Sequence, residues 1–282
     1  MKKITALMLS SAMMLSLAAC GGSASTETVS SEAASSEAAS SEAVSTEEAA
    51  SADAAELTTV TAGKLTMSTN AAFPPYEMTT DAGDFEGIDI EVAGAIAKKL
   101  GLELQVDDMD FDAALLAAQS GKSDMVMAGV TVTDERQKVM DFSDTYAEGI
   151  QSIIVPEGSD IATADDLSGK AIGTQRGTTG YLYCTDDFGE ENVIAYDDGL
   201  TAVQALNNGQ VDAVVIDNAP AQEFVAANPG LKILDTAYAQ EDYAIGVAKG
   251  NTQLLDAING ALEELQADGT LQAIVDKYIT AE

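Results

Sequence analysis

Arginine is rare in this chain, and the position of Arg136 predicts an anion-binding group. The sequence has 47 acidic and 13 basic residues, for a formal net charge of −34, and Arg136 is one of its two arginines. A guanidinium forms a planar fork that matches a carboxylate bidentately, which a lysine cannot do. Gly129 and Thr131, upstream on the same predicted loop, add a carbonyl and a hydroxyl. The alternative is a surface arginine that pairs with Asp134 or Glu135 on its own turn.

The segment QRGTTG predicts a second anion-binding element, because it follows a predicted strand and opens a predicted helix. The amides of Thr178 and Thr179 would be unpaired first-turn donors, and these donors and the helix dipole both favour a carboxylate. Gly177 would let the backbone approach a ligand closely, and Gln175 offers an uncharged amide. Arg176 is expected either to contact the ligand or to point to solvent. The alternative for the segment is a plain threonine N-cap.

Asp217 is a candidate acceptor for an ammonium group. It closes the apolar strand AVVID and precedes Asn218 and Ala219. The alternative is an N-cap for the helix that begins near Ala219, and one carboxylate can serve both roles.

Two aromatic residues lie in segments that would border the same site. Phe73 belongs to the loop NAAFPPYE, which also holds Asn70 just after a predicted strand, and Phe111 starts the helix that follows DDMD. Aromatic rings here would sandwich the side chain of a ligand, although an isolated phenylalanine more often belongs to a core.

Alternating strand and helix patterns place these residues at one side of an α/β fold. The segments predicted as strands are KLTMST, LELQV, SDMVMAG, KAIGT, NVIAY and VDAVVI, and helices are predicted at DIEVAGAIAKKLG, at FDAALLAAQSG, near Thr178, Leu200 and Ala219, and as a tail pair broken at Asp268-Gly269. Such alternation indicates α/β architecture with largely parallel sheets, whose ligand sites lie beyond the carboxyl ends of the strands. The residues that follow the strands are cationic, hydroxylated, aromatic and anionic in turn, which suits a zwitterion with a side chain.

The N-terminus has the pattern of an export signal. Two lysines precede an apolar run that ends at Leu17 and is too short to span a bilayer comfortably. The segment LAAC resembles a lipobox, the processing site of bacterial lipoproteins. This resemblance implies a signal peptide over residues 1–19 and a lipid on Cys20. The alternative is an ordinary signal peptide that contains a cysteine.

Residues 20–62 are predicted as a disordered tether of Ser, Glu and Ala. No aromatic residue, proline, lysine or arginine occurs there, and such a composition cannot bury enough apolar surface to offset its ordering entropy. A partly helical tether is the alternative, because Ala and Glu favour helix. With Cys20 lipidated, Cys184 has no partner for an intrachain disulfide, so we expect it to be a small buried residue in a domain stabilised by its core.

Composition also argues against several classes of function. So acidic a surface would repel phosphate backbones, so we expect no nucleic-acid partner. The chain has no histidine, which removes histidine-based triads and histidine metal sites. The segment DDMDFD mimics the first ligands of an EF-hand loop, but Ala113 and Gln119 stand where that loop requires Gly and Glu. We therefore expect no metal and no cofactor. The chain has many carboxylates, so its residue types alone do not exclude acid–base catalysis.

Seven segments, in order, resemble the family 3 solute-binding proteins of bacterial ABC transporters that import amino acids. They are TNAAFPPYE, FEGIDIEVAGAIAKKLG, GVTVTDER, DFSDTY, LSGKAIGTQRGTTG, GQVDAVVIDNAPA and ALEELQADGTLQAIVDKY. The resemblance implies a two-lobed periplasmic-binding-protein-like fold, with two mixed sheets flanked by helices and joined by two hinge strands near residues 145–150 and 241–246. Lobe 1 would comprise residues 63–147 and 244–282, and lobe 2 residues 148–243.

The same resemblance implies a role for each polar candidate. Arg136 would bind the α-carboxylate of an amino acid together with the amide of Thr179 and with Thr131. Asp217 and the carbonyl of Gly129 would take the α-ammonium.

The resemblance also bears on the ligand's side chain, which Phe73 and Phe111 would flank. Binders of basic amino acids in this family often carry an acid where this chain has Asn70. Asn70 and Gln175 present amides, so we expect a polar uncharged or otherwise neutral amino acid.

The expected protein is a monomer, lipid-anchored to the outer face of the cytoplasmic membrane. It would perform no chemistry itself and would deliver a free amino acid to an ABC permease with its ATPase. The alternatives are a ligand sensor for a signalling receptor and a dehydratase-like enzyme on the same fold.

Overall fold

The computed structural model describes residues 57–279, so the predicted signal peptide, Cys20 and most of the predicted tether lie outside the described residues. The strands are Lys64–Thr69 (β1), Ala72–Phe73 (β2), Glu77–Thr79 (β3), Phe85–Glu86 (β4), Glu103–Asp108 (β5), Met125–Val126 (β6), Met140–Pro156 (β7), Ile172–Gln175 (β8), Val193–Tyr196 (β9), Ala213–Asp217 (β10), Leu231–Ile233 (β11) and Ala239–Ala248 (β12). The helices are Ile88–Lys99 (α1), Phe111–Gln119 (α2), Asp134–Gln137 (α3), Thr179–Phe188 (α4), Gly199–Asn207 (α5), Asn218–Ala227 (α6), Thr252–Ala267 (α7) and Thr270–Tyr278 (α8). Each strand and helix predicted from the sequence is present, and the tail pair is separated at Asp268 and Gly269.

The main sheet of the described region is mixed and runs in the order β5-β1-β6-β12-β7-β10-β8-β9, with β11 antiparallel to β7. Strand β1 is parallel to both β5 and β6, and β8 is parallel to both β9 and β10. Between these two parallel groups lie β7 and β12, which are long and antiparallel to each other. The expected α/β fold with two crossing strands is confirmed. The two expected sheets form one continuous sheet, because β12 pairs with β6 of one half, β7 pairs with β10 of the other, and β7 and β12 pair with each other.

Each half of the sheet has its own core. Around β1, β6 and β12, apolar side chains of α1, α7 and α8 pack into one buried cluster. In the other half, one cluster forms with α5 and α6 and a second with α4, on opposite faces of β8 and β10. Helix α1 illustrates why the sequence folds this way, since Ile88, Val92 and Ile96 recur on one buried face. Each half can therefore hold its part of the cavity wall in place.

The lone described cysteine and the end of the predicted tether both pack on this domain. Cys184 on α4 is fully buried, as expected, and burial raises the pKa of its thiol to about 12. The tether prediction is wrong for residues 57–62: Leu57 packs on the first core, and the Val60 amide donates to Asp124 Oδ1 at 2.7 Å. An apolar side chain and a buried carboxylate thus fix the chain before β1. Within residues 57–279 we find no helix with the length and apolar character needed to cross a bilayer.

Candidate ligand-binding cavity

All ten residues predicted for ligand binding line one cavity between the halves of the sheet. Its walls combine the predicted Asn70, Phe73, Phe111, Gly129, Thr131, Arg136, Gln175, Thr178, Thr179 and Asp217 with Glu77, Ala128, Gln151, Ile216 and Tyr243. Strands β1 and β6 run antiparallel to β8 and β10, and the carboxyl ends of the two pairs face the cavity from opposite sides, so the residues that follow them converge.

Arg136 is a cavity residue and does not pair with its neighbours on the turn. Glu135 is bound to Lys138 at 3.2 Å, while the Arg136 side chain donates to Thr131 O at 2.8 Å and to Gly177 O at 3.2 Å. Only 8% of Arg136 is exposed, and burial lowers the pKa of the guanidinium, which still remains charged. These two bonds use part of its five-donor fork, and the alternative of a surface ion pair is wrong.

The start of α4 supplies backbone donors. The Thr178 hydroxyl accepts from Tyr181 N at 3.3 Å, so Thr178 is the N-cap that the sequence offered as an alternative, and its side chain also donates to Gln175 O at 2.8 Å. The amide of Thr179 makes no hydrogen bond within residues 57–279. Capping by Thr178 therefore leaves the next amide available to an anion in the cavity.

The backbone of Gly177 lies against the side chain of Asp112, which belongs to the opposite half of the fold. Its φ is +74°, and a Cβ at this position would collide with the Asp112 carboxylate. The predicted neighbour of this glycine is a ligand, whereas in the structure the side chain of Asp112 lies there.

Asp217 is buried at the end of β10 and satisfies several donors at once. It caps α6 by accepting from Ala219 N at 3.2 Å, and it also accepts from Ile150 N at 3.0 Å and from the Tyr243 hydroxyl at 2.6 Å. Only 2% of Asp217 is exposed. Burial is the largest cause of the rise of its pKa to about 6, and the hydrogen bonds to its carboxylate oppose this rise. A cation in the cavity would favour its ionised form.

Gly129 presents a free carbonyl to the cavity. Its amide donates to Asp89 Oδ2 at 3.0 Å, while its carbonyl accepts no hydrogen bond from residues 57–279. A Cβ at this position would lie 3.0 Å from the Phe73 ring, and φ is +53°. Close packing against Phe73 therefore favours glycine here.

The aromatic and amide residues occupy the rest of the wall. Phe73 stacks on Tyr76 with ring centroids 5.9 Å apart, and the Arg136 guanidinium lies 5.4 Å from the centroid of Phe111. Phe111 thus belongs both to the cavity wall and to a core cluster, and it supports the arginine through a cation–π contact. Across the cavity, Gln175 Nε2 donates to Asn70 Oδ1 at 2.9 Å.

Sequence reasoning missed five cavity residues and left one arginine undecided. Gln151 and Tyr243 lie on the crossing strands, and only the pairing of β7 with β12 brings them to the site. Glu77 is the last residue of NAAFPPYE, the segment from which Asn70 and Phe73 are predicted. Arg176 points away from the cavity, with its guanidinium 3.7 Å from Asp197 and 56% of its side chain exposed. The described residues contain no cluster suited to a metal ion.

A polar cavity at the carboxyl ends of the strands, between two α/β halves crossed by two long strands, defines the class of periplasmic-type binding proteins. Residues 65–281 match the model of the bacterial extracellular solute-binding proteins, family 3, and the chain belongs to this family. Proteins of this family are extracytoplasmic.

Individual relatives share most of this chain. The L-cystine-binding protein TcyJ of Escherichia coli (strain K12) is 35% identical over 224 residues, which cover 78% of this chain and 84% of that protein. ABC transporter arginine-binding protein 1 of the same strain is 32% identical over 222 residues, covering 77% and 91%. The solved structure of an ancestral arginine-binding protein bound to glutamine is 44% identical, has a TM-score of 0.74, and covers 78% of this chain and 99% of its own. The relatives are solute-binding proteins and not enzymes, which confirms the expectation that this chain is not an enzyme.

Proposed function

We propose that this chain captures a free amino acid in the cavity and delivers it to an ABC permease with its ATPase. One observation carries the proposal: a buried guanidinium, a free helix-terminal amide and a buried carboxylate line the same cavity. Such a set matches the two charged ends of a zwitterion. The names of the relatives support the class of solute, since they refer to cystine, arginine and glutamine.

The α-carboxylate would bind to Arg136 and the start of α4. One ligand oxygen would replace Gly177 O as acceptor for the guanidinium, and the Thr179 amide would donate to the carboxylate, with Thr131 and Thr178 beside it. Charge-assisted hydrogen bonds of this kind contribute about 1.5–3 kcal/mol each.

The α-ammonium would bind between Asp217 and the carbonyl of Gly129. Asp217 has accepted three donors, and two carboxylate oxygens provide about four acceptor sites, so one position remains for the ligand. The Gly129 carbonyl has no other donor in the described chain.

We propose that capture involves closure of lobe 2, residues 148–243, on lobe 1, residues 63–147 and 244–282. Because β7 and β12 are the strands that cross between the halves, a change of backbone torsion within them would open the cavity. The Arg136 to Gly177 and Gln175 to Asn70 bonds link the two halves. A ligand that takes over these donors would serve as the bridge between lobes.

We propose that the ligand's side chain is polar and uncharged, or otherwise neutral. Asn70 and Gln175 face each other as amides at one side of the cavity, and neither carries a charge that would neutralise a lysine or arginine side chain. Phe73 provides an apolar surface on the same side. Glu77 and Asp217 are the carboxyl groups in the wall, and the α-ammonium accounts for Asp217.

We propose that the protein works as a monomer held at the outer face of the cytoplasmic membrane by lipid on Cys20. Metabolic labelling with a radioactive fatty acid tests this anchor. We expect label in the wild-type protein and none in Cys20→Ala, which would appear in the soluble fraction. Label retained in Cys20→Ala would contradict the anchor without affecting the cavity.

A thermal-shift screen across the free L-amino acids and L-cystine tests the function. Ligand that binds only the folded state raises the melting temperature by mass action. We expect one neutral polar amino acid, or a few related ones, to raise it. A screen in which no amino acid shifts the melting temperature would contradict the proposal.

A further inference from the structure

Glu77 is a buried acid in the cavity wall that the proposed ligand contacts do not use. It opens β3, it is 0% exposed, and neither of its carboxyl oxygens has a hydrogen-bond donor within residues 57–279. An acceptor-only carboxylate buried without a donor is costly, so its surroundings must supply a proton or a cation.

The neighbouring acid is Asp89, in the first turn of α1 and also 0% exposed, whose backbone amide donates to Tyr76 O, next to Glu77, at 2.9 Å. Its Oδ2 accepts from Gly129 N at 3.0 Å, whereas its Oδ1 has no donor in the described chain. The other titratable groups that face the two carboxyls are the hydroxyls of Tyr76 and Tyr146 and the carboxyl of Asp108. Carboxyls and phenols thus surround Glu77.

Burial and the charge of Asp89 hold the pKa of Glu77 well above its ordinary range. Burial raises the pKa of Asp89 to about 6, and the bond from Gly129 N, followed by the contacts with Tyr146 and Glu77, opposes this rise. Because the Gly129 amide donates to Asp89 and stabilises its ionised form, the proton is more favourably placed on Glu77 than on Asp89. One proton between the two groups also gives a donor to oxygens that otherwise have none.

We propose that Glu77 and Asp89 share one buried proton, carried by Glu77, and that this pair is a positioning element for Gly129. Protonated Glu77 donates to Asp89, Asp89 accepts the Gly129 amide, and the Gly129 carbonyl is left for a donor in the cavity. The link from this carbonyl to an ammonium rests on the proposed function. The pair itself can be tested in the protein without any amino acid.

The shared proton makes folding depend on pH in a defined direction. An acid whose pKa is higher in the folded than in the unfolded state binds one more proton when folded, between the two values. Its contribution to stability is fully present below the unfolded pKa and is lost as pH rises through the folded pKa. The unfolding equilibrium constant should therefore rise with pH, by up to about tenfold per unit from this group alone.

Urea unfolding of the wild-type protein, Glu77→Gln and Glu86→Gln at about pH 6.5 to 8, above the pKa of Asp89, measures this slope. Glutamine keeps the donor of a protonated acid but cannot titrate. We expect the unfolding constant of the wild type to rise with pH more steeply than that of Glu77→Gln, by up to about tenfold per unit. Glu86→Gln, on the exposed end of β4, should follow the wild type. Parallel curves for the wild type and Glu77→Gln would overturn the shared proton.

Hydrogen exchange of the Gly129 amide tests the positioning role. In Glu77→Gln we expect the amide to remain protected, whereas in Glu77→Leu, which lacks a donor to Asp89, exchange should be at least about tenfold faster. Asp89→Ala removes the acceptor of the Gly129 amide and should speed its exchange to the same extent. It replaces Glu77→Leu if the leucine variant does not fold. If the Gly129 amide exchanged at the same rate in Glu77→Gln as in a folded Glu77→Leu or Asp89→Ala variant, the positioning role would be overturned.

Discussion

The guanidinium of Arg136 and the carbonyl of Gly177 are joined by a hydrogen bond of 3.2 Å, although the residues stand 41 positions apart and belong to opposite halves of the sheet. The arginine follows β6 and the glycine precedes α4. The proposed function assigns this guanidinium N–H to the ligand, and in the structure it already has an acceptor on the opposite half of the sheet. An α-carboxylate would exchange one acceptor for a stronger, charged one.

Arg136→Ala is expected to weaken amino-acid binding by about ten- to several-hundredfold, which corresponds to the loss of one or two charge-assisted hydrogen bonds. Arg136→Lys should recover only part of this loss, since an ammonium cannot form the planar fork. Isothermal titration calorimetry measures both. Arg176→Ala is the matched control, because Arg176 is exposed and lies outside the cavity, and its affinity should equal that of the wild type. Wild-type affinity in Arg136→Ala would refute the carboxylate assignment.

Binding is expected to weaken below about pH 6, because the pKa of Asp217 is raised to about 6 and an ammonium favours its ionised form. At pH 6 about half of Asp217 is protonated, so binding should release about half a proton, falling towards zero near pH 8. Calorimetry in buffers of different ionisation enthalpy counts these protons. Asp217→Asn should bind more weakly and lose this proton release, while Asp235→Asn, an exposed change, should retain it. Proton release that persists unchanged in Asp217→Asn would assign it to another group.

Asn70→Asp is expected to shift the preference of the cavity towards basic amino acids. The new carboxylate would keep an acceptor for Gln175 and add a negative charge beside the ligand's side chain. Competition between L-glutamine and L-arginine, followed by thermal shift, compares the variant with the wild type. Asn208→Asp, at the C-cap of α5 outside the cavity, is the control for an added charge. No change in the ratio between the two amino acids in Asn70→Asp would place their side chains elsewhere.

Gly177→Ala is expected to weaken binding and not only folding. A left-handed backbone costs a residue with a Cβ about 1–2 kcal/mol, and here the Cβ would also meet Asp112 on the facing lobe. Gly209→Ala is the matched control, since φ is +66° there but the space around it is open. Both variants should have lower melting temperatures, and only Gly177→Ala should have a raised Kd. Equal affinities would mean that Asp112 moves aside at no cost.

Residues that immediately follow strands were the predictable part of this site. Arg136, Gln175, Thr179 and Asp217 could be named because strand ends and helix starts are local features, and the carboxyl ends of the strands in both halves of the sheet face the cavity. Gln151 and Tyr243 could not, because their place in the wall depends on the register between β7 and β12, which no local pattern encodes.

The structure also decided between roles that local patterns left open. Arg136 and Arg176 both follow strands in an acidic chain, and one lies in the cavity while the other lies outside it. Gly177 has the positive φ expected of a close approach, but the group it approaches is Asp112. Burial of Glu77 was equally hidden, since a glutamate after two prolines and a tyrosine gives no sign of being fully enclosed.

The central claim is that both charged ends of a free amino acid are held between the two halves of the sheet. The most direct measurement compares, by calorimetry, the amino acid selected by the thermal-shift screen with its α-carboxamide and its N-acetyl derivative. We expect the free amino acid to bind, and each blocked form to bind at least about tenfold more weakly, because each loses a charge-assisted contact. Blocked forms that bind as tightly as the free amino acid would contradict the account.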